Sequence, residues 1–152
     1  MSLGGSATTA LDNAVASLTA GGVHVVVAAG NSNTNAANTS PARAPSAITV
    51  GASDINDSRS SFSNYGSVVD VFAPGTSITS TWIGSTSATN NISGTSMATP
   101  HVAGLVAYLI SKDGNVSPSA METKIKNLST KNALSNIPSG TVNYLAFNGI
   151  TA

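Results

Sequence analysis

An α/β fold with a largely parallel sheet follows from three features of the amino-acid sequence. Short apolar runs alternate along the chain with longer stretches of helical periodicity. The short runs are apolar throughout instead of alternating with polar residues, as in strands covered on both faces. Helix boundaries carry their own punctuation, Gly21-Gly22 at one end and Ser117-Pro118 at another start. At 152 residues the chain is long enough for one domain with a real core.

Taken in order, Ser6 to Ala20 places Ala10, Leu11, Ala14, Val15 and Leu18 on one helical face. Val23 to Ala29 is β-branched and short, the mark of a buried strand. Asn31 to Ser46 is polar and rich in Asn, which predicts a loop. Ala47 to Ser53 and Val68 to Phe72 predict two further strands, the latter stopped by Pro74-Gly75. Ile78 to Trp82 and Asn91 to Ser93 fit a hairpin around Gly84. Thr95 to Lys112 is a long apolar helix with Pro100 in its first turns, where a missing N–H costs least. Ser117 caps a helix that opens on Pro118 and runs to about Leu128. Thr141 to Ala146 predicts a last short strand. No internal repeat and no interdomain linker interrupts this order.

Composition narrows the function classes. Charged residues make up 8% of the chain, the net charge is zero and no basic run occurs, which argues against nucleic acid and anionic membranes as partners. No apolar run reaches the ~18 residues of a membrane span. Cysteine is absent, so neither disulfides nor a thiolate metal site can form. Few charges with much Ser, Thr, Gly and Asn suit an extracellular surface. The start, Met1-Ser2-Leu3-Gly4-Gly5, has none of the parts of a signal peptide. Asn38, Asn56, Asn91, Asn115 and Asn127 each begin an Asn-x-Ser/Thr triplet, a number that composition alone accounts for and that carries no weight for localisation.

The densest chemical signal is Gly94-Thr95-Ser96-Met97-Ala98-Thr99-Pro100-His101-Val102-Ala103-Gly104. A serine between small residues, at the start of an apolar helix, has free N–H groups and a helix dipole beside its hydroxyl. That is a place for a nucleophile. The run resembles the nucleophile segment of subtilisin-like serine proteases, most closely the proteinase K branch and its cysteine-free fungal alkaline proteases. The likeness extends from Ser2 to about Asn148, with a slightly longer segment at Gly84 to Asn91. It implies the C-terminal half of a three-layer subtilisin-like fold with a mostly parallel sheet, so that residues 1–152 are the C-terminal portion of one peptidase domain.

A serine hydroxyl needs a base to take its proton, usually a His oriented by a carboxylate. His101 follows Ser96 by five positions on one helix and so points about 140° away. His24 lies in an apolar strand, where a structural role is the simpler reading. An α/β-hydrolase, with its order Ser, acid, His, is excluded because His101 precedes Asp113. The resemblance implies that the family's Asp and His segments lie upstream of this chain.

By the same resemblance Asn31, after the strand Val25 to Ala29 and Gly30, donates its amide to the oxyanion together with the Ser96 N–H. Ser2, Leu3, Gly4 and Gly5 correspond to the family's substrate-binding strand, and Ala28, Ala29 and Gly30 to one wall of a wide apolar pocket. An extended peptide or protein is the implied substrate, held along a strand edge. A structural calcium ion is implied on the carbonyls of Pro45 and Ala47 and the carboxylate of Asp70, hard oxygen donors suited to that cation. No catalytic cofactor is implied.

Two function classes stand. One is the C-terminal part of a secreted, or vacuolar, serine endopeptidase that awaits its Asp/His segment. The other is a catalytically inactive fragment or peptide-binding module. In both the chain by itself is expected to be inactive, and, because a half-sheet with open apolar faces invites aggregation, poorly soluble or partly unfolded.

Overall fold

The computed structural model describes residues 1–150. Its centre is a five-stranded sheet in the order β2 (Val26–Ala28), β4 (Ile48–Ser53), β5 (Val71–Pro74), β9 (Tyr144–Leu145) and β8 (Thr130–Lys131). The first four strands run parallel and only β8 is antiparallel. This is the predicted α/β architecture with its mostly parallel sheet.

Side chains leave the sheet alternately to either side, which makes three layers. On one side Val26, Ile48, Val50, Ala52, Val71 and Ala73 meet α2 (Thr95–Asp113) and α3 (Pro118–Leu128) through Ala98, Val102, Val106, Leu109, Met121 and Ile125. On the other, Val25 and Val27 pack with Ala44, Ala47 and Val15 of α1 (Thr9–Ala20). Phe72 crosses beneath Gly51, where an added Cβ would lie 2.3 Å from its ring. Only glycine lets those two strands close over the ring.

Several elements differ from expectation. The first helix starts at Thr9, not Ser6, because Gly5 and Ser6 (β1) pair antiparallel with Ser40 and Thr39 (β3). The Asn31 to Ser46 loop therefore contains a short strand, and also a 3₁₀ turn at Ala36–Asn38 capped by Asn35. The strand expected from Val68 starts at Val71 and includes Pro74 at its end. The hairpin is β6 (Ile78–Thr81) with β7 (Thr89–Ile92). No sequence pattern predicts the two-residue β8, which has no period of its own.

Two apolar helix faces are only partly covered. On α1, Val15 is buried, whereas Leu18 is 46% exposed. The outward side of α2 presents Ala103, Gly104, Ala107 and Tyr108 to solvent. A helix apolar nearly all round normally lies inside a protein.

Candidate active site

Gly94 starts α2 with no side-chain cap of its own, and the Thr95 N–H at the positive end of the helix is taken by Asn31 from outside it. Ser96 stands in that first turn, partly buried. Asn31 follows β2 after Ala29 and Gly30, at the C-terminal end of a parallel strand, where α/β sheets place their sites.

Thr95, fully buried, joins the two segments. Its backbone N–H and its hydroxyl both donate to Asn31 Oδ1, each at 2.8 Å. A backbone N–H cannot bond to an amide nitrogen, so the orientation of the Asn31 amide is determined. Its Nδ2 donors are directed away from Thr95, and an added Cβ on Gly94 would lie 3.5 Å from Nδ2. The Thr95 hydroxyl also accepts the Gly30 N–H at 3.1 Å. One side chain thus ties the end of β2 to the start of α2.

A second tie runs from the N-terminal segment. Pro100 has no N–H, so the Ser96 carbonyl lacks its helical partner four residues on. The Ser2 hydroxyl donates to that carbonyl at 2.9 Å. The Ser96 hydroxyl lies 3.5 Å from the Ser2 carbonyl oxygen, too far for a firm hydrogen bond.

Leu3, Gly4 and Gly5 face Ala28, Ala29, Gly30, Asn31 and Ser96 across a groove of about 650 Å³. Every residue expected to bind substrate lines this groove, except Ser2, which touches Ser96 from its end. The far wall rests on Asn64, 1% exposed. Its Oδ1 accepts the N–H groups of Ser32 and Thr34, at 3.1 and 3.0 Å, and its Nδ2 donates to the Ala29 carbonyl at 2.8 Å. Gly30, with φ +105°, lies so near that an added Cβ would come within 2.4 Å of Asn64 Nδ2. Neither Thr95 nor Asn64 was singled out by the sequence. The Thr before Ser96 was in view as part of the motif, but Asn64 sits in a polar stretch with no signal of its own.

Neither histidine serves Ser96. His101 pairs through Nδ1 with the Met97 carbonyl of its own helix at 2.8 Å, and His24 pairs through Nε2 with Asn115 Oδ1 at 2.8 Å.

Pro45, Ala47 and Asp70 do come together, around a small pocket of about 200 Å³ shared with Arg43. Asp70 Oδ2 accepts the Thr49 N–H at 2.7 Å, and Oδ1 pairs with Lys126 Nζ at 2.6 Å. Burial pushes the Asp70 carboxyl upward. Burial also lowers the Lys126 ammonium, but hydrogen bonds to Asp70 and Glu122 outweigh it and hold that pKa above its ordinary value. Both oxygens of Asp70 are taken, one of them by a cation. The donor set as it stands does not fit a divalent ion.

The family model described as Subtilase family matches residues 1–144. The chain is 66% identical over 151 residues to an alkaline serine protease of Corniculantispora psalliotae, covering 99% of this chain and 39% of that protein. It is 60% identical to a cuticle-degrading protease of Metarhizium anisopliae, covering 98% and 38%. Among solved structures, a cold adapted subtilisin-like serine proteinase superposes with a TM-score of 0.93 at 48% identity, over 97% of this chain and 53% of that one. The chain therefore spans well under half the length of these curated relatives.

Proposed function

The chain belongs to the subtilase family, and from that premise we propose that it forms the C-terminal part of the peptidase domain of a secreted serine endopeptidase. Ser96 is the nucleophile. Its Oγ attacks the scissile carbonyl while a histidine from an upstream segment takes the proton, that histidine being held by an upstream aspartate. The carbonyl oxygen becomes an oxyanion between the Ser96 N–H and Asn31 Nδ2. The same histidine then protonates the departing amine, and water releases the acyl group from Ser96 by the reverse route.

The observation that carries this reading is the double hydrogen bond from Thr95 to Asn31 Oδ1. It fixes the amide before any substrate arrives, and preorganised donors are what oxyanion stabilisation needs. The substrate would lie extended along Leu3 and Gly4, with the side chain before the scissile bond entering between Ala28 and Gly30. Small residues there favour a roomy, apolar pocket. Likeness to a protein named for degrading cuticle supports an extracellular protein substrate. No helix among the described residues is long and apolar enough to cross a membrane.

The engagement of His24 and His101 elsewhere supports a base from outside the chain, and the bare outward side of α2 offers the upstream segment a face to pack on. A serine-directed fluorophosphonate tests this. No labelling of the chain alone is expected, and labelling of Ser96 once the upstream Asp/His segment is supplied. Labelling of the chain alone would overturn the external base. No labelling in the complete domain would leave the peptide-binding reading.

A further inference from the structure

Lys126 occupies an unusual position. It projects from the last turn of α3 across to the start of the sheet, and its ammonium meets two carboxylates, Asp70 at 2.6 Å and Glu122 at 2.5 Å. Asp70 stands immediately before β5, with its side chain 14% exposed, and its other oxygen accepts the Thr49 N–H of β4. One ammonium thus joins a helix to two neighbouring strands through a largely buried acid.

Every charged side chain named around the pocket of Pro45 and Ala47 has a partner within the chain. Asp70 and Glu122 share Lys126, and Arg43 is paired with Asp12 at 2.7 Å. A carboxylate so enclosed must be neutralised or paired, and here the partner is supplied by the chain itself. A calcium ion at its usual 2.3–2.6 Å from the same oxygen would come within about 5 Å of the ammonium. Two like-signed charges at that separation, in a partly buried site, repel strongly.

We propose that Lys126 is the resident cation of the Asp70 pocket: its ammonium does the cross-linking that a divalent ion would do there, and it keeps calcium from binding. This holds whether or not Ser96 is a nucleophile, because Asp70 lies before the N-terminal end of β5, whereas Ser96 follows Gly94, which bonds to Gly75 beyond the C-terminal end of that strand.

The test is thermal unfolding of the complete peptidase domain, in excess EDTA and in millimolar calcium, for four forms: unaltered, Asp70→Asn, Lys126→Met and the double variant. Calcium sites elsewhere in the domain cancel in the comparison. The unaltered protein and Asp70→Asn are expected to show the same calcium-dependent rise in Tm. Lys126→Met is expected to gain an additional rise of about 5 °C, the scale for a ligand well above its Kd in a domain of this size. The double variant is expected to lose that gain. A calcium-dependent rise that Asp70→Asn removes from the unaltered protein would overturn the proposal, and so would the absence of any gain in Lys126→Met. Where Lys126→Met does not fold, Lys126→Gln gives the same reading with a polar side chain.

Discussion

Thr95→Val separates a positioned amide from a merely nearby one. Valine keeps the branched shape and removes only the hydroxyl. Two hydrogen bonds go with it, the 2.8 Å bond to Asn31 Oδ1 and the 3.1 Å bond from the Gly30 N–H. The Gly30 N–H is left without a partner beside a fully buried side chain, which costs about 1–3 kcal/mol of stability. Asn31 keeps one of its two bonds, from the Thr95 N–H, so its amide loosens without being lost. Complete removal of such a donor costs about 2.7–4 kcal/mol, a magnitude known from a subtilisin. A loosened donor should cost roughly a third to a half of that, or about tenfold in kcat. KM should hardly change, because the oxyanion exists only in the transition state. The assay is steady-state hydrolysis of a chromogenic peptide by the complete domain, in Asn31 and Asn31→Leu backgrounds. With leucine at 31 the Thr95→Val effect on kcat should shrink to within about twofold, because the two residues act as a unit. Equal losses in both backgrounds would refute the reasoning, and so would an unchanged kcat in the first.

Other consequences can be checked independently. Gly30→Ala meets a left-handed backbone and the Asn64 amide at once, so denaturant unfolding should show a loss of at least about 1–3 kcal/mol from backbone strain alone. Asn64→Leu keeps the volume but strips the bonds that hold residues 29–34; about 2–3 kcal/mol of stability should be lost, and KM should rise more than kcat falls, since the pocket wall loosens while Ser96 stays in place. The Lys124 ammonium, 2.7 Å away, holds the Asp113 carboxyl below its usual range. A depressed carboxyl stabilises the fold above its unfolded pKa and ceases to do so as pH falls through the folded value. Lys124→Met should therefore lower Tm slightly at neutral pH and leave it unchanged at strongly acid pH.

How much of this could be read from residues alone depended on the range of the interactions involved. The apolar runs at Val25 to Ala29 and Ala47 to Ser53 announced buried parallel strands because burial on both faces leaves a local mark. Ser117-Pro118 announced the start of α3 for a similar reason, and the Ser117 hydroxyl does accept the Ala120 N–H. The pairing of Gly5 and Ser6 with Thr39 and Ser40 had no such mark, since it joins segments more than thirty residues apart through backbone groups common to every sequence. The face of α1 misled in the other direction. Its periodicity was real, but Leu18 remains exposed, because periodicity shows which side a helix can bury and not what is there to cover it.

The site divides in the same way. Ser96 was legible from its motif, and Asn31 only through the resemblance, because an Asn after Gly otherwise suggests a turn. Thr95 orients Asn31, and Asn64 holds the pocket wall at Ala29, through contacts 64 and 35 positions apart, which no local pattern encodes. The ion pair of Lys126 with Asp70 is equally non-local. It bears directly on the calcium expectation, which considered the oxygen donors and not the cation already beside them.

The most direct measurement is a crystal structure of the complete domain with a peptide aldehyde bound covalently to Ser96. The hemiacetal oxygen should lie about 2.7–3.1 Å from both Asn31 Nδ2 and the Ser96 N–H, with Asn31 Oδ1 still on Thr95. An oxygen turned toward other groups, or an Asn31 amide facing away from it, would contradict the convergence of residues 31 and 96 on one reaction centre.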